Sequence, residues 1–154
     1  MDLHTWEAME QIKQLKARYF RLMDQKQWEE WAELFTDDVT AMYHNASPDR
    51  PREGLPTLHC TGRANLVATV RRVLSQGLSI HQGYMPEIAI TSPTTAHGTW
   101  AMFDYLRLPT CIFKGYGHYE EEHVKEASGW KIKHIVLTRL HCELQKEEAA
   151  NAKD

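Results

Sequence analysis

Leu78-Ser79-Ile80-His81-Gln82-Gly83-Tyr84 opens a stretch that reads as β-strand nearly to the end of the chain, and that stretch decides the fold. Segments near 78–91, 95–108, 112–126 and 129–143 are bounded by turn residues and are long for strands. Glycines at 83, 98, 115 and 117 sit inside them and predict bulges that let a sheet curl. Pro86, Pro93 and Pro109 punctuate the turns. Working back toward the N-terminus, Trp6, Met9, Ile12, Leu15, Tyr19, Phe20 and Met23 recur at steps of three and four, the helical period. Asp24 with Gln27 resembles a capping box for a second helix striped by Trp28, Trp31, Leu34 and Phe35 and stopped by Thr36-Asp37-Asp38. A short strand through Val39 to Tyr43 follows, then a loop from Asn45 to Pro56. Thr61 or Gly62 caps a third helix lined by Leu66, Val67, Val70, Val73 and Leu74, and Gly77 ends it. The layout is α+β: three N-terminal helices on one face of a strongly curved, mixed but mostly antiparallel sheet, a cone-shaped α+β barrel with a cavity inside. Residues 1–144 form one domain, and 145–154 read as a polar tail.

At 154 residues the chain can bury a core but not two ordinary domains. Its 42% hydrophobic and 25% charged residues are near the globular average, which excludes disorder. The longest apolar runs are a few residues, so no membrane span is expected, and the first residues lack a secretory pattern. A net charge of −3 without a basic cluster gives no electrostatic reason to bind nucleic acid. Cys60, Cys111 and Cys142 are scattered singly, as expected of reduced thiols in a cytoplasm. Nine histidines raise a metal question, with Glu120, Glu121, Glu122 and His123 as possible ligands, but no pair has zinc-site spacing. Neither metal nor cofactor is expected, and the partner is a small molecule.

Three ionisable residues interrupt apolar segments. His81 carries the side chain best suited to moving protons near neutral pH. Asp104 shares a strand face with Trp100, Met102 and Leu106, where a carboxylate needs a partner, a wet cavity or a functional proton unless it lies at a solvent-facing strand edge. Asp24 reads equally as a helix cap, a role worth about 1 kcal/mol. Tyr19, in phase with Leu15 and Met23, fits a plain core aromatic. Arg139, inside Ile135-Val136-Leu137-Thr138-Arg139-Leu140, fits snorkelling to a strand end. Tyr119, Glu121 and His123 share one strand face opposite Tyr116, His118, Glu120 and Glu122, and period two leaves open which face points inward; Tyr43 is ambiguous in the same way. Trp100, three further tryptophans and six methionines suit either a broad apolar chamber or ordinary core.

The run Tyr19-Phe20-Arg21-Leu22-Met23-Asp24-Gln25-Lys26-Gln27-Trp28, followed by Leu34-Phe35-Thr36-Asp37-Asp38-Val39, resembles the opening of SnoaL-like proteins of the cone-shaped ketosteroid isomerase superfold. Within it the chain is similar to dehydratases of the bile acid 7α-dehydratase kind and, more distantly, of the scytalone dehydratase kind, over most of residues 10–143. Ser79-Ile80-His81-Gln82-Gly83 and Pro86-Glu87-Ile88 match strand motifs of these relatives, while the loop around Asn45 to His59 departs from both. The resemblance implies a catalytic set of His81, Asp24, Tyr19 and Asp104, with Tyr43, Tyr119, Glu121, Arg139 and Trp100 around the substrate. It implies a cofactor-independent lyase that removes water from a hydroxylated cyclic or aromatic-like ketone, His81 being the base and Asp24 holding its tautomer. It also implies a homo-oligomer, trimer or dimer, and a small apolar ring-containing substrate. The same superfold hosts isomerases and dehydrohalogenases that begin with the same proton abstraction, and non-catalytic binding or accessory subunits.

Overall fold

The computed structural model describes residues 1–147. Helix α1 (Leu3–Asp24) is capped by Asp2, whose side chain accepts the Thr5 N–H at 2.8 Å. Its inward stripe is Ile12, Leu15, Lys16, Tyr19, Leu22 and Met23. Trp6, counted into that stripe by periodicity, is 55% exposed, so the buried face begins a turn and a half later. Each fully buried large apolar side chain of this stripe contributes about 1.5–3 kcal/mol.

Helix α2 (Trp28–Ala32) is shorter than its apolar stripe predicts. Leu34 already accepts a hydrogen bond from the Ile132 N–H, and Phe35 pairs with Ile132, so strand β1 (Phe35–Tyr43) claims the residues that periodicity gave to the helix. Sheet pairing outweighs local propensity here. Strand β2 (Leu58–Thr61), which the proline-rich loop before it hides in the sequence, pairs antiparallel with β1. Helix α3 (Arg63–Leu74) starts after Gly62 at φ +86°, a conformation open to glycine at little cost.

Four long strands follow: β3 (Leu78–Ser92), β4 (Thr95–Leu108), β5 (Cys111–Glu126) and β6 (Gly129–Lys146). The sheet order is β2-β1-β6-β5-β4-β3, antiparallel throughout except for the β1–β6 pair. β2 and β3 are its two edges and do not pair with each other, so the sheet forms an open cone and not a closed barrel. Pro86 is tolerated because β3 is an edge strand. Register shifts lie at Tyr84/Glu87, Ile90/Ser92, Tyr116/Gly117 and Glu122/His123, so only Gly117 among the four strand glycines sits at a bulge. Gly83 and Gly98 instead leave room for the Phe20 and Trp100 rings.

The expected tail begins two residues too early. Gln145 and Lys146 pair with Ile112 and Cys111 and complete β6. The remainder of that segment, from residue 148, lies outside the described residues. The three cysteines are free and buried. Among the described residues no helix is long and apolar enough to cross a membrane.

Candidate active site

Asp24 is the last residue of α1, and the turn after it brings α1 against the start of β3. Its carboxylate does not cap α2, whose N-cap is Gln27 without a side-chain bond. Asp24 Oδ1 accepts from Ser79 Oγ at 2.9 Å and meets His81 Nδ1 at 2.7 Å, while Oδ2 accepts the His81 backbone N–H at 2.7 Å. Held by both ring and backbone, neutral His81 carries its proton on Nδ1 and leaves Nε2 bare. The bare nitrogen looks across the β3–β4 pair at Asp104, whose Oδ2 is 3.9 Å away.

Asp104 is 2% exposed and is not at a solvent-facing edge. Arg139 of β6 grips it through two nitrogens, at 2.5 and 3.0 Å. Arg139 also donates from Nε to the His44 carbonyl at 3.0 Å and from Nη2 to Asn45 Oδ1 at 2.9 Å, and Nη1 faces Met102 Sδ at 3.7 Å. All five guanidinium N–H groups thus point at protein acceptors. Arg139 therefore does not snorkel, and it fixes Asp104 and the start of the 44–57 loop without a spare donor for a substrate. The Asp104 charge holds the Arg139 pKa above the ordinary arginine value against the opposing effect of burial. Gly115, opposite Asp104 on β5, leaves room for this pair: a Cβ there would collide with both the guanidinium and the carboxylate.

On another wall the hydroxyls of Tyr19 and Tyr43 lie 2.9 Å apart. Tyr19 is set by Trp31, which donates its indole N–H to the Tyr19 carbonyl at 3.1 Å and packs on the ring. Burial pushes the Tyr19, Tyr43 and Tyr119 phenols above the usual tyrosine range, so they stay protonated donors. His81, Asp104, Arg139, Asn45 and the three tyrosines share one cavity of about 220 Å³. The rest of its lining is apolar: Met23 and the α3 residues Val70, Val73 and Leu74, Leu106 and Leu108 of β4, Leu137 of β6, and Leu55, Pro56 and Leu58. Few polar groups converge on a largely apolar hollow, which suits a small, mostly apolar ligand. Among the described residues no three His, Cys, Asp or Glu side chains are grouped so as to hold a metal.

A model of the SnoaL-like domain matches residues 4–136. The chain belongs to the SnoaL-like family. Solved structures carry the same fold. A protein named "Putative Scytalone Dehydratase" from Novosphingobium aromaticivorans DSM 12444 superimposes with a TM-score of 0.79 at 22% identity, covering 98% of this chain and 96% of that one. The Kfla4162 protein from Kribbella flavida gives 0.77 at 20% identity over 90% and 95%. The hexachlorocyclohexane dehydrochlorinase LinA-type3 from Novosphingobium barchaimii LL02 gives 0.73 at 16% identity over 96% and 94%.

In this SnoaL-like domain two expected substrate contacts lie elsewhere. Trp100 and Glu121 do not line the cavity. Both face Lys16, which is 1% exposed and forms an ion pair with Glu121, while His123 Nε2 lies 3.1 Å from Glu121 Oε1. The inward face of β5 is therefore the one bearing Tyr119, Glu121 and His123. Lys16, Asn45 and Ser79 went unassigned in the sequence. Lys16 had a signal, a lysine four residues after Ile12 and three before Tyr19 on a buried stripe, whereas Asn45 sat in a loop that no periodicity reads.

Proposed function

We propose that the protein is a cofactor-independent dehydratase acting on a hydroxylated cyclic ketone. The observation that carries this reading is the two-point hold of Asp24 on His81, braced by Ser79, which leaves Nε2 bare toward an apolar cavity and toward Asp104. In the proposed step Nε2 takes the proton α to the carbonyl, and the C–H electron pair moves into an enolate. The two tyrosine hydroxyls share one hydrogen between them, so one proton remains to donate to the enolate oxygen. The enolate then collapses, the C–O bond to the β-hydroxyl breaks, and imidazolium returns its proton to the departing oxygen as water. Asp24 orients the ring and stabilises its charged form, as a carboxylate does behind a catalytic imidazole. Asp104, acceptor-only while paired with Arg139, receives a hydrogen bond from the substrate hydroxyl or from the imidazolium.

Expulsion of halide in place of water is the second reading. It is favoured by the fold shared with hexachlorocyclohexane dehydrochlorinases. Against it, Arg139 has no free N–H to meet a leaving anion.

Incubating the protein with a panel of β-hydroxy cyclic ketones and their β-halo counterparts, followed by mass spectrometry, tests both. Loss of one water supports the dehydratase and halide release the second reading. His81→Ala is expected to slow elimination by about 10²- to 10⁴-fold, and full turnover by that variant overturns the mechanism.

A further inference from the structure

Lys16 lies behind the tyrosine wall. Its ammonium is 3.7 Å from the ring centroid of Tyr19 and 3.6 Å from that of Tyr119, with Phe20 at 4.8 Å and Trp100 at 5.8 Å completing an aromatic cage. Glu121 is its ionic partner. Such a pair is an expensive way to join α1 to β5, because desolvating two charges commonly cancels their attraction and an apolar pair would serve as well. What an apolar pair lacks is a positive charge against the faces of two phenols that line the cavity.

We propose that Lys16 is a positioning residue for the oxyanion: its caged charge stabilises negative charge developing on an oxygen held by the hydroxyls of the tyrosine wall. This rests on reading that wall as the enolate-binding side of the cavity. A cation on the π face draws electron density from the ring and makes its hydroxyl a stronger donor, an effect enlarged where water is excluded. Glu121 acts in the opposite sense on the phenols. Its carboxylate, however, is also bound by His123 Nε2 at 3.1 Å, which draws part of its charge away. The groups facing Lys16 are then Tyr19 and Phe20 from its own helix, Trp100 from β4, and Tyr119 and Glu121 from β5.

Linkage gives a test that needs no turnover. If the Lys16 charge favours an oxyanion at the tyrosines, a bound oxyanion must favour the Lys16 charge by the same factor. Burial, partly offset by Glu121, brings the Lys16 pKa down to about 8, within convenient reach of titration. The experiment is an NMR titration of ¹³Cε-lysine-labelled protein, free and saturated with 4-nitrophenolate. The Lys16 signal is recognised by its ring-current displacement and by its loss in Lys16→Arg. A companion binding measurement on Tyr19→Phe shows whether the probe uses the tyrosine wall. The expected result is binding weakened by Tyr19→Phe and a Lys16 midpoint raised by about one unit, tenfold in linkage. Tyr19-dependent binding with an unmoved midpoint overturns the role of Lys16 and leaves the dehydratase reading standing. Binding indifferent to Tyr19→Phe overturns the oxyanion wall itself, and the Lys16 proposal falls with it.

Discussion

Two buried ion networks flank the same cavity, and they differ in what they touch. Asp24, His81, Asp104 and Arg139 run from the end of α1 across β3, β4 and β6 and present His81 and Asp104 to the hollow. Lys16, Glu121 and His123 join α1 to β5 behind the tyrosines, and neither Lys16 nor Glu121 reaches the cavity. The first network has a bare nitrogen facing a place where substrate fits; the second has a cation wrapped in aromatic rings. Burial alone therefore does not mark a proton-transfer group. What separates the two is whether an unsatisfied atom faces open space.

Removing one charge from the first network should cost the most. Arg139→Leu leaves the Asp104 carboxylate buried without its partner and frees the His44 carbonyl and Asn45, an expected loss of about 3–5 kcal/mol in a denaturant titration. A loss below about 1 kcal/mol would show that Asp104 has another partner or water. On the tyrosine side, Tyr19→Phe should leave the fold intact and slow enolate formation by about 10²-fold, seen in kcat on any ketone that is turned over. Next comes Gly115→Ala, whose added methyl group meets the Asp104–Arg139 pair. A destabilisation of about 1–3 kcal/mol is expected, falling on the first network alone.

The smallest effect concerns pH. Lys16 holds its proton less tightly when folded, near 8, than a lysine in the unfolded chain, at about 10.5. Between those values the unfolded chain binds more protons, so this group makes stability rise with pH across that window. The stability difference between wild type and Lys16→Met should accordingly move in favour of wild type from pH 8 toward 10.5, measured by denaturation at fixed ionic strength. The buried tyrosines act the other way above pH 10 in both proteins and cancel in the difference.

How far each part could be read from the sequence follows from how local its signal is. The long strands were visible because alternation persists over many residues, and α1 because its three- and four-residue spacing runs from Trp6 to Met23, about five turns. β2 and the early start of β1 were not, because four residues are too few for a period and because pairing with β6 decides where Phe35 belongs. In the site, His81 and Asp104 stood out as charges on apolar strands. Asp24 was ambiguous because its partners Ser79 and His81 lie 55 and 57 residues away, where no capping rule looks. Period two leaves open whether Glu121 faces inward, and a strand face does not say which neighbour fills the space in front of Glu121 or Trp100. That neighbour is Lys16, supplied by a helix a hundred residues earlier.

The account stands on Asp24 fixing His81 in the form that can accept a proton on the cavity side. A long-range ¹H–¹⁵N correlation spectrum of His81 in the unliganded protein, at a pH where the ring is neutral, reads that form directly. The account predicts a protonated Nδ1 and a bare Nε2, with the preference lost in Asp24→Asn. A proton resident on Nε2, or a tautomer indifferent to Asp24, would contradict it.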